Sequence, residues 1–225
     1  MKRLISLFSL IGLALLVTIG GVAAISSAAG GKEFEVTITN LTRAQQFTPI
    51  LVASHEEGVR LFELGDAASA ALVTLAETGD PVLLSDLLES DSRVNDVETL
   101  GPLLGPGASR TITIKGGGKF KYVSVAAMLI PTNDGFFAVN GVKGLTGETL
   151  TFRSPVYDAG SEANDELCAS IPGPFCGGSG AVGVPGGGEG YVHIHGGIHG
   201  IGSLIASEQD WRNPVARITI SRAER

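Results

Sequence analysis

The feature that most constrains this chain is a period of two. Short runs of alternating apolar and polar residues recur along it, separated by glycine-rich turns and without a β-α-β rhythm. Residues 33–39 place Phe34, Val36 and Ile38 on one face, residues 110–115 place Ile112 and Ile114 together, and residues 215–220 align Ala216, Ile218 and Ile220. Residues 46–53 read as a further strand broken near Pro49. Gly116, Gly117 and Gly118 turn the 110–115 segment into a long strand pattern at 120–130, which reads most economically as a hairpin. Shorter strands follow at 136–139, 148–152 and 191–195. About eight such strands predict an all-β fold, an antiparallel β-sandwich in one domain, with its first and last strands paired. One stretch departs from the period. Near 66–90, Leu72, Leu75 and Ala76 recur at helical spacing, and Asp80-Pro81 supplies a helix start. Val82, Leu83, Leu87 and Leu88 then continue a short amphipathic helix.

Glycine, 32 of 225 residues, has roughly twice its ordinary share but follows no three-residue period, which excludes collagen. An apolar fraction of 44% is enough to build a core, so the chain is not a disordered polyelectrolyte. A net charge of −7 argues against nucleic-acid binding. Lys2 and Arg3 precede an apolar run over 4–19, and small residues lead to Ser27-Ala28-Ala29. This is the order of a secretory signal, predicting a signal peptide at 1–29 and a domain at 30–225. The alternative is an uncleaved anchor; after cleavage no integral membrane segment remains. A secreted product, extracellular or periplasmic, then makes Cys168 and Cys176, in CASIPGPFC, a structural disulfide rather than a catalytic thiol. Asn40-Leu41-Thr42 matches the glycosylation sequon, a pattern common by chance.

Three places can carry chemistry. PTNDGFF at 131–137 is a turn whose Asn133 and Asp134 favour side-chain to backbone bonding. Residues 157–166 hold four carboxylates, Asp158, Glu162, Asp165 and Glu166. Flexible acidic loops of this kind supply oxygen ligands to calcium, and equally occur as solvated loops. VHIHGGIHG at 192–200 holds His193, His195 and His199. On a strand the first two share a face, about 7 Å apart. Gly196-Gly197 can turn His199 back towards them, a zinc or copper site in some enzymes; the other reading is histidines packed on a sheet face. His55 is a distant further ligand or, more simply, a lone surface histidine. No nucleophile elbow, phosphate loop, dinucleotide fingerprint or His-Glu-x-x-His signature is present.

TNLTRAQQFTP at 39–49, LFELGDAAS at 61–69, MLIPTNDGFFAVNGV at 128–142, SPVYDAGSEANDE at 154–166, GEGYVHIHGGIHG at 188–200 and DWRNPVARITI at 210–220 together resemble the spondin N-terminal domain. This is the module of F-spondin and mindin, and the histidine-rich piece is most similar to its bacterial single-domain secreted branch. The resemblance implies a C2-like sandwich with calcium held in loops at one end. It also implies a non-enzymatic role at a cell surface or in the extracellular matrix, with a surface or matrix protein or a glycan as partner. Carried over by motif, the calcium ligands are Asp158, Glu162 and, from the upstream turn, Asp134. Glu162 stands where animal members carry aspartate. The thrombospondin-type repeats of those members are absent, so integrin or matrix adhesion does not follow from the domain alone. The rival expectation is a zinc or copper protein, or a metalloenzyme, built on His193, His195 and His199.

Overall fold

The computed structural model describes residues 32–177 and 187–224. The leader read at 1–29 and the middle of the glycine-rich stretch, 178–186, lie outside the described residues. The strands are β1 (Lys32–Asn40), β2 (Gln46–Phe47), β3 (Ile50–His55), β4 (Val94–Leu100), β5 (Ser109–Gly116), β6 (Tyr122–Ile130), β7 (Gly135–Lys143), β8 (Leu150–Ser154), β9 (Val156–Asp158), β10 (His193–Ile194) and β11 (Ala216–Arg222). The helices are α1 (Ala70–Thr78), α2 (Val82–Glu89) and the short α3 (Ala206–Gln209).

Two antiparallel sheets form the predicted sandwich. The smaller runs β5-β1-β11-β8 and the larger β10-β9-β7-β6-β3-β4, with β2 beside β6. The first and last strands pair as expected, with Val36 opposite Ile220 on one side and Ile112 on the other. Strands of the smaller sheet keep one wet face, which is why they alternate: Phe34, Val36, Ile38, Ile218 and Ile220 point inward and are buried. They meet Val52, Val125, Leu129, Phe137 and Val139 of the larger sheet, and Phe47 and Phe137 pack with centroids 4.4 Å apart.

The larger sheet is buried on its other face too. Helices α1 and α2 lay Leu72, Leu75, Leu84 and Leu88 over Leu51, Ala53, Ala126 and Phe136. This second cover explains why β3 and β6 are mostly apolar on both faces, with the few polar residues Ser54, His55 and Ser124 buried. The predicted helical insertion is therefore a third layer. Its second helix buries Leu84 and Leu88 and leaves Val82, Leu83 and Leu87 in solvent, a narrower buried face than the sequence suggested.

The expected hairpin across Gly116–118 does not form. β5 pairs with β1, whereas β6 pairs with β3 and β7, so the glycines turn a corner between sheets. Local pairing after the corner stops at the Gly117–Phe120 bridge. A strand apolar on both faces belongs inside the doubly covered sheet, and β5, with its wet face, pairs in the other one. β4 escaped sequence reading because VNDVETL carries charges, as suits the edge strand it is. His55 is not on the surface: it is fully buried on β3, with Nδ1 2.8 Å from the Glu56 carbonyl and Nε2 2.9 Å from Ser124 Oγ. Asn40 is also fully buried; it donates to Gln45 and Leu104 carbonyls and accepts from Thr42, so in the fold its amide is closed to a glycan. The predicted disulfide joins Cys168 and Cys176.

Candidate metal centre

Strand register assembles the site. β7 opens at Gly135, immediately after the 131–134 turn, and Gly135 lies opposite Asp158 at the end of β9. On the other side of β9, Asp158 lies opposite His193 of β10. The turn, the acidic loop and the histidine segment therefore converge on one residue. Gly160 permits the closeness: its φ of +65° lies in the left-handed region, and a Cβ there would sit 2.3 Å from the Tyr191 carbonyl oxygen. The Gly190 amide donates to the Gly160 carbonyl at 2.8 Å and ties the two segments together.

Asp134 and Asp158 are both fully buried. Asp134 Oδ2 accepts from the Ser161 amide at 2.8 Å, the Ser161 hydroxyl at 3.1 Å and the Glu162 amide at 3.1 Å. Its Oδ1 is buried with no hydrogen-bond partner. Burial, and then the neighbouring charge of Asp158, push the Asp134 carboxyl up to about 6. Burial raises Asp158 as well, against the pull of Asn164, whose amide donates to Oδ2 at 2.7 Å, and of the Gly160 amide, which donates to Oδ1 at 2.8 Å. Glu162 is buried at the same loop. Glu77, at the end of α1, reaches Ser161, and burial holds its carboxyl above the usual range. That fourth carboxylate comes from the helical layer, a placement no local motif announces.

The remaining acids of the loop are structural. Asp165 accepts from Asn133, Leu167 and Ser170. Glu166 accepts from the amides of His199, Gly200 and Ile201 and so anchors that turn.

The histidines separate. His193 Nε2 lies 3.8 Å from Asp158 Oδ1 and 3.4 Å from Glu189 Oε2. Burial alone would lower its imidazole, but the Ile194 carbonyl and the charges of Asp158 and Glu189 outweigh it and hold it above its ordinary value. The ligating atoms of Asp158, Glu189 and His193 all lie within 4.8 Å of one another, the one such group of three among the described residues. His195 is buried with its Nε2 3.9 Å from Asp158 Oδ2, and its ring stands edge-on to Trp211 at 5.0 Å. Burial pushes its imidazole down to about 4. His199 is directed elsewhere: its side chain is 63% exposed and its Nδ1 is 3.6 Å from Glu166 Oε1. Asp134, Asp158, Glu162, His193 and His195 thus gather at one rim of the larger sheet, with His199 at its margin. Glu189, absent from the expected ligands, joins them from beyond the glycine-rich stretch.

Against known families, the Spondin_N family model matches residues 32–162. The match covers the 131–134 turn and ends at Glu162, leaving Glu189 and the three clustered histidines beyond it. No curated protein matches the chain.

Proposed function

The chain belongs to the spondin N-terminal family, whose members are extracellular modules, and on that premise we propose that it is a secreted, non-enzymatic calcium-binding module for cell-surface or matrix interaction. The observation that carries calcium is the orphaned Asp134 Oδ1. A buried carboxylate oxygen without a donor, beside a second buried carboxylate, is costly unless a cation neutralises both. The donor set is hard oxygen, as calcium requires. Asp134, Asp158 and Glu162 would hold the ion, with backbone carbonyls or water completing the shell. Calcium would supply charge neutralisation, locking the 131–134 turn against the 158–162 loop so that the rim presents a fixed surface to a partner.

A disulfide suits an oxidising compartment, in keeping with secretion. No helix among the described residues is long and apolar enough to cross a membrane. The net charge of −7 favours a surface or matrix protein or a glycan over nucleic acid as partner.

An ion that binds only the folded state stabilises it by mass action, by about 2.7 kcal/mol at a hundred times its dissociation constant. The melting temperature is therefore expected to rise in millimolar calcium over chelator, and Asp134→Asn, which keeps the shape but not the charge, is expected to abolish the rise. Identical wild-type melting curves in calcium and in chelator would refute the reading.

A further inference from the structure

We propose that Asp158, Glu189 and His193 form a second cation site, for a divalent transition-metal ion of the zinc or copper class, in which His195 is not a ligand. The assignment shares Asp158 with the calcium reading but not Asp134 or Glu162, so the two are separable by substitution.

Tautomers decide the roles of the two histidines. His193 Nδ1 is 3.1 Å from the Ile194 carbonyl, which only accepts, so Nδ1 carries the proton. In the neutral ring, the form that a metal binds, the Nε2 lone pair faces the carboxylates of Asp158 and Glu189, so an ion there takes the place of the proton those charges favour. A ring nitrogen fixed by a backbone carbonyl, with the opposite nitrogen bare, is the usual arrangement of a ligating histidine. His195 is reversed. Its Nδ1 accepts from the Gly197 amide at 2.9 Å, so Nε2 carries hydrogen and has no lone pair to give. That Nε2 is buried without a hydrogen-bond partner, 3.9 Å from Asp158 Oδ2, and the side chain is 3% exposed. Asn164 holds Oδ2, while Oδ1, which accepts from the Gly160 amide, lies towards His193.

Spacing and softness agree. Two ligands at the zinc bond length of about 2.0–2.1 Å and a tetrahedral angle stand about 3.4 Å apart. The His193–Glu189 separation is 3.4 Å and the His193–Asp158 separation 3.8 Å, while the carboxylate oxygens of Asp158 and Glu189 lie within 4.8 Å, so closing the set draws the exposed Glu189 inward. One imidazole among carboxylates suits zinc or copper better than calcium, which prefers an all-oxygen shell. The side chains of Glu189 and His193, 39% and 25% exposed, give the ion an entry path.

The test uses metal-free protein carrying no polyhistidine tag, titrated with zinc against a chromophoric chelator. One equivalent is expected to bind, at least tenfold more weakly in both His193→Ala and Glu189→Gln and unchanged in His199→Ala. Asp134→Asn is expected to keep zinc while losing the calcium-dependent rise in melting temperature, which separates this site from the calcium one. The melting temperature of each variant in chelator shows that it is folded. Copper(II) bound to the protein is expected to show coupling to a single imidazole nitrogen by electron paramagnetic resonance, retained in His195→Gln. Less than stoichiometric zinc, or zinc held as tightly by folded His193→Ala as by wild type, would overturn the site. An equal loss in His199→Ala, or coupling to two nitrogens, would overturn the division of roles.

Discussion

At the scale of single residues, the buried polar groups discriminate best between structural and chemical roles. His55 shows how a histidine is absorbed by a fold. Its Nδ1 donates to the Glu56 carbonyl, so its Nε2 accepts from the Ser124 hydroxyl, whose oxygen in turn accepts the Gly141 amide at 2.9 Å. Tyr122 stacks beside it. Burial lowers the imidazole below its ordinary value; Arg60 and Arg93 add to the lowering, while the Glu56 carbonyl and Asp91 oppose it. A histidine with a depressed folded value contributes stability that is complete above about pH 6.5 and is lost as the pH falls below it, at up to about 1.4 kcal/mol per pH unit. Between pH 7 and pH 5 the urea midpoint of the wild type is therefore expected to fall relative to that of His55→Gln, the raised carboxylates of the rim acting alike in both. Equal drops in the two proteins would show that His55 does not titrate differently on folding.

Among elements, α2 tests the layered architecture. Asp80 Oδ1 accepts from the Val82 amide at 2.9 Å and starts the helix, as its sequence indicated. Leu84 is 2% exposed and Leu83 51%. Leu84→Ala is expected to lower stability by about 2–4 kcal/mol, and Leu83→Ser to change it by no more than about 0.5 kcal/mol. Similar losses in urea unfolding would mean that the helix does not cover the sheet in this register. The same contrast sets the limit of what the sequence reveals. Alternation survives in β1, β5 and β11 because each has one wet face, and it disappears in β3 and β6 because helices cover the second. Alternation also says nothing of which strands pair, hence the hairpin that proved to be a corner. At the site, the resemblance pointed to Asp134 and Asp158, which lie in a turn and an acidic loop that a sequence displays. Glu77 and Glu189 were not legible, since a lone carboxylate acquires meaning only from the segments folded against it. The placement of His199 depends on Glu166 and Asp210: the first binds the 199–201 amides, and the second accepts from Ile198 at 3.1 Å.

For the whole molecule, β11 is the decisive strand. It lies inside the smaller sheet, between β1 and β8, and buries Ala216, Ile218 and Ile220 completely. A chain ending at Val215 would leave both neighbours with open edges and uncover the core between the sheets. That truncation is expected to abolish near-ultraviolet circular dichroism and amide dispersion, and a well-dispersed spectrum would show that the larger sheet and its helices stand alone. The pairing of Val36 with Ile220 also governs timing. Because β11, one of the two partners of β1, emerges from the ribosome after every other strand described, a growing chain cannot complete its smaller sheet before that strand is made. Closure of that sheet can come no earlier than the end of synthesis, and it joins residues far apart along the chain, the slow kind of pairing.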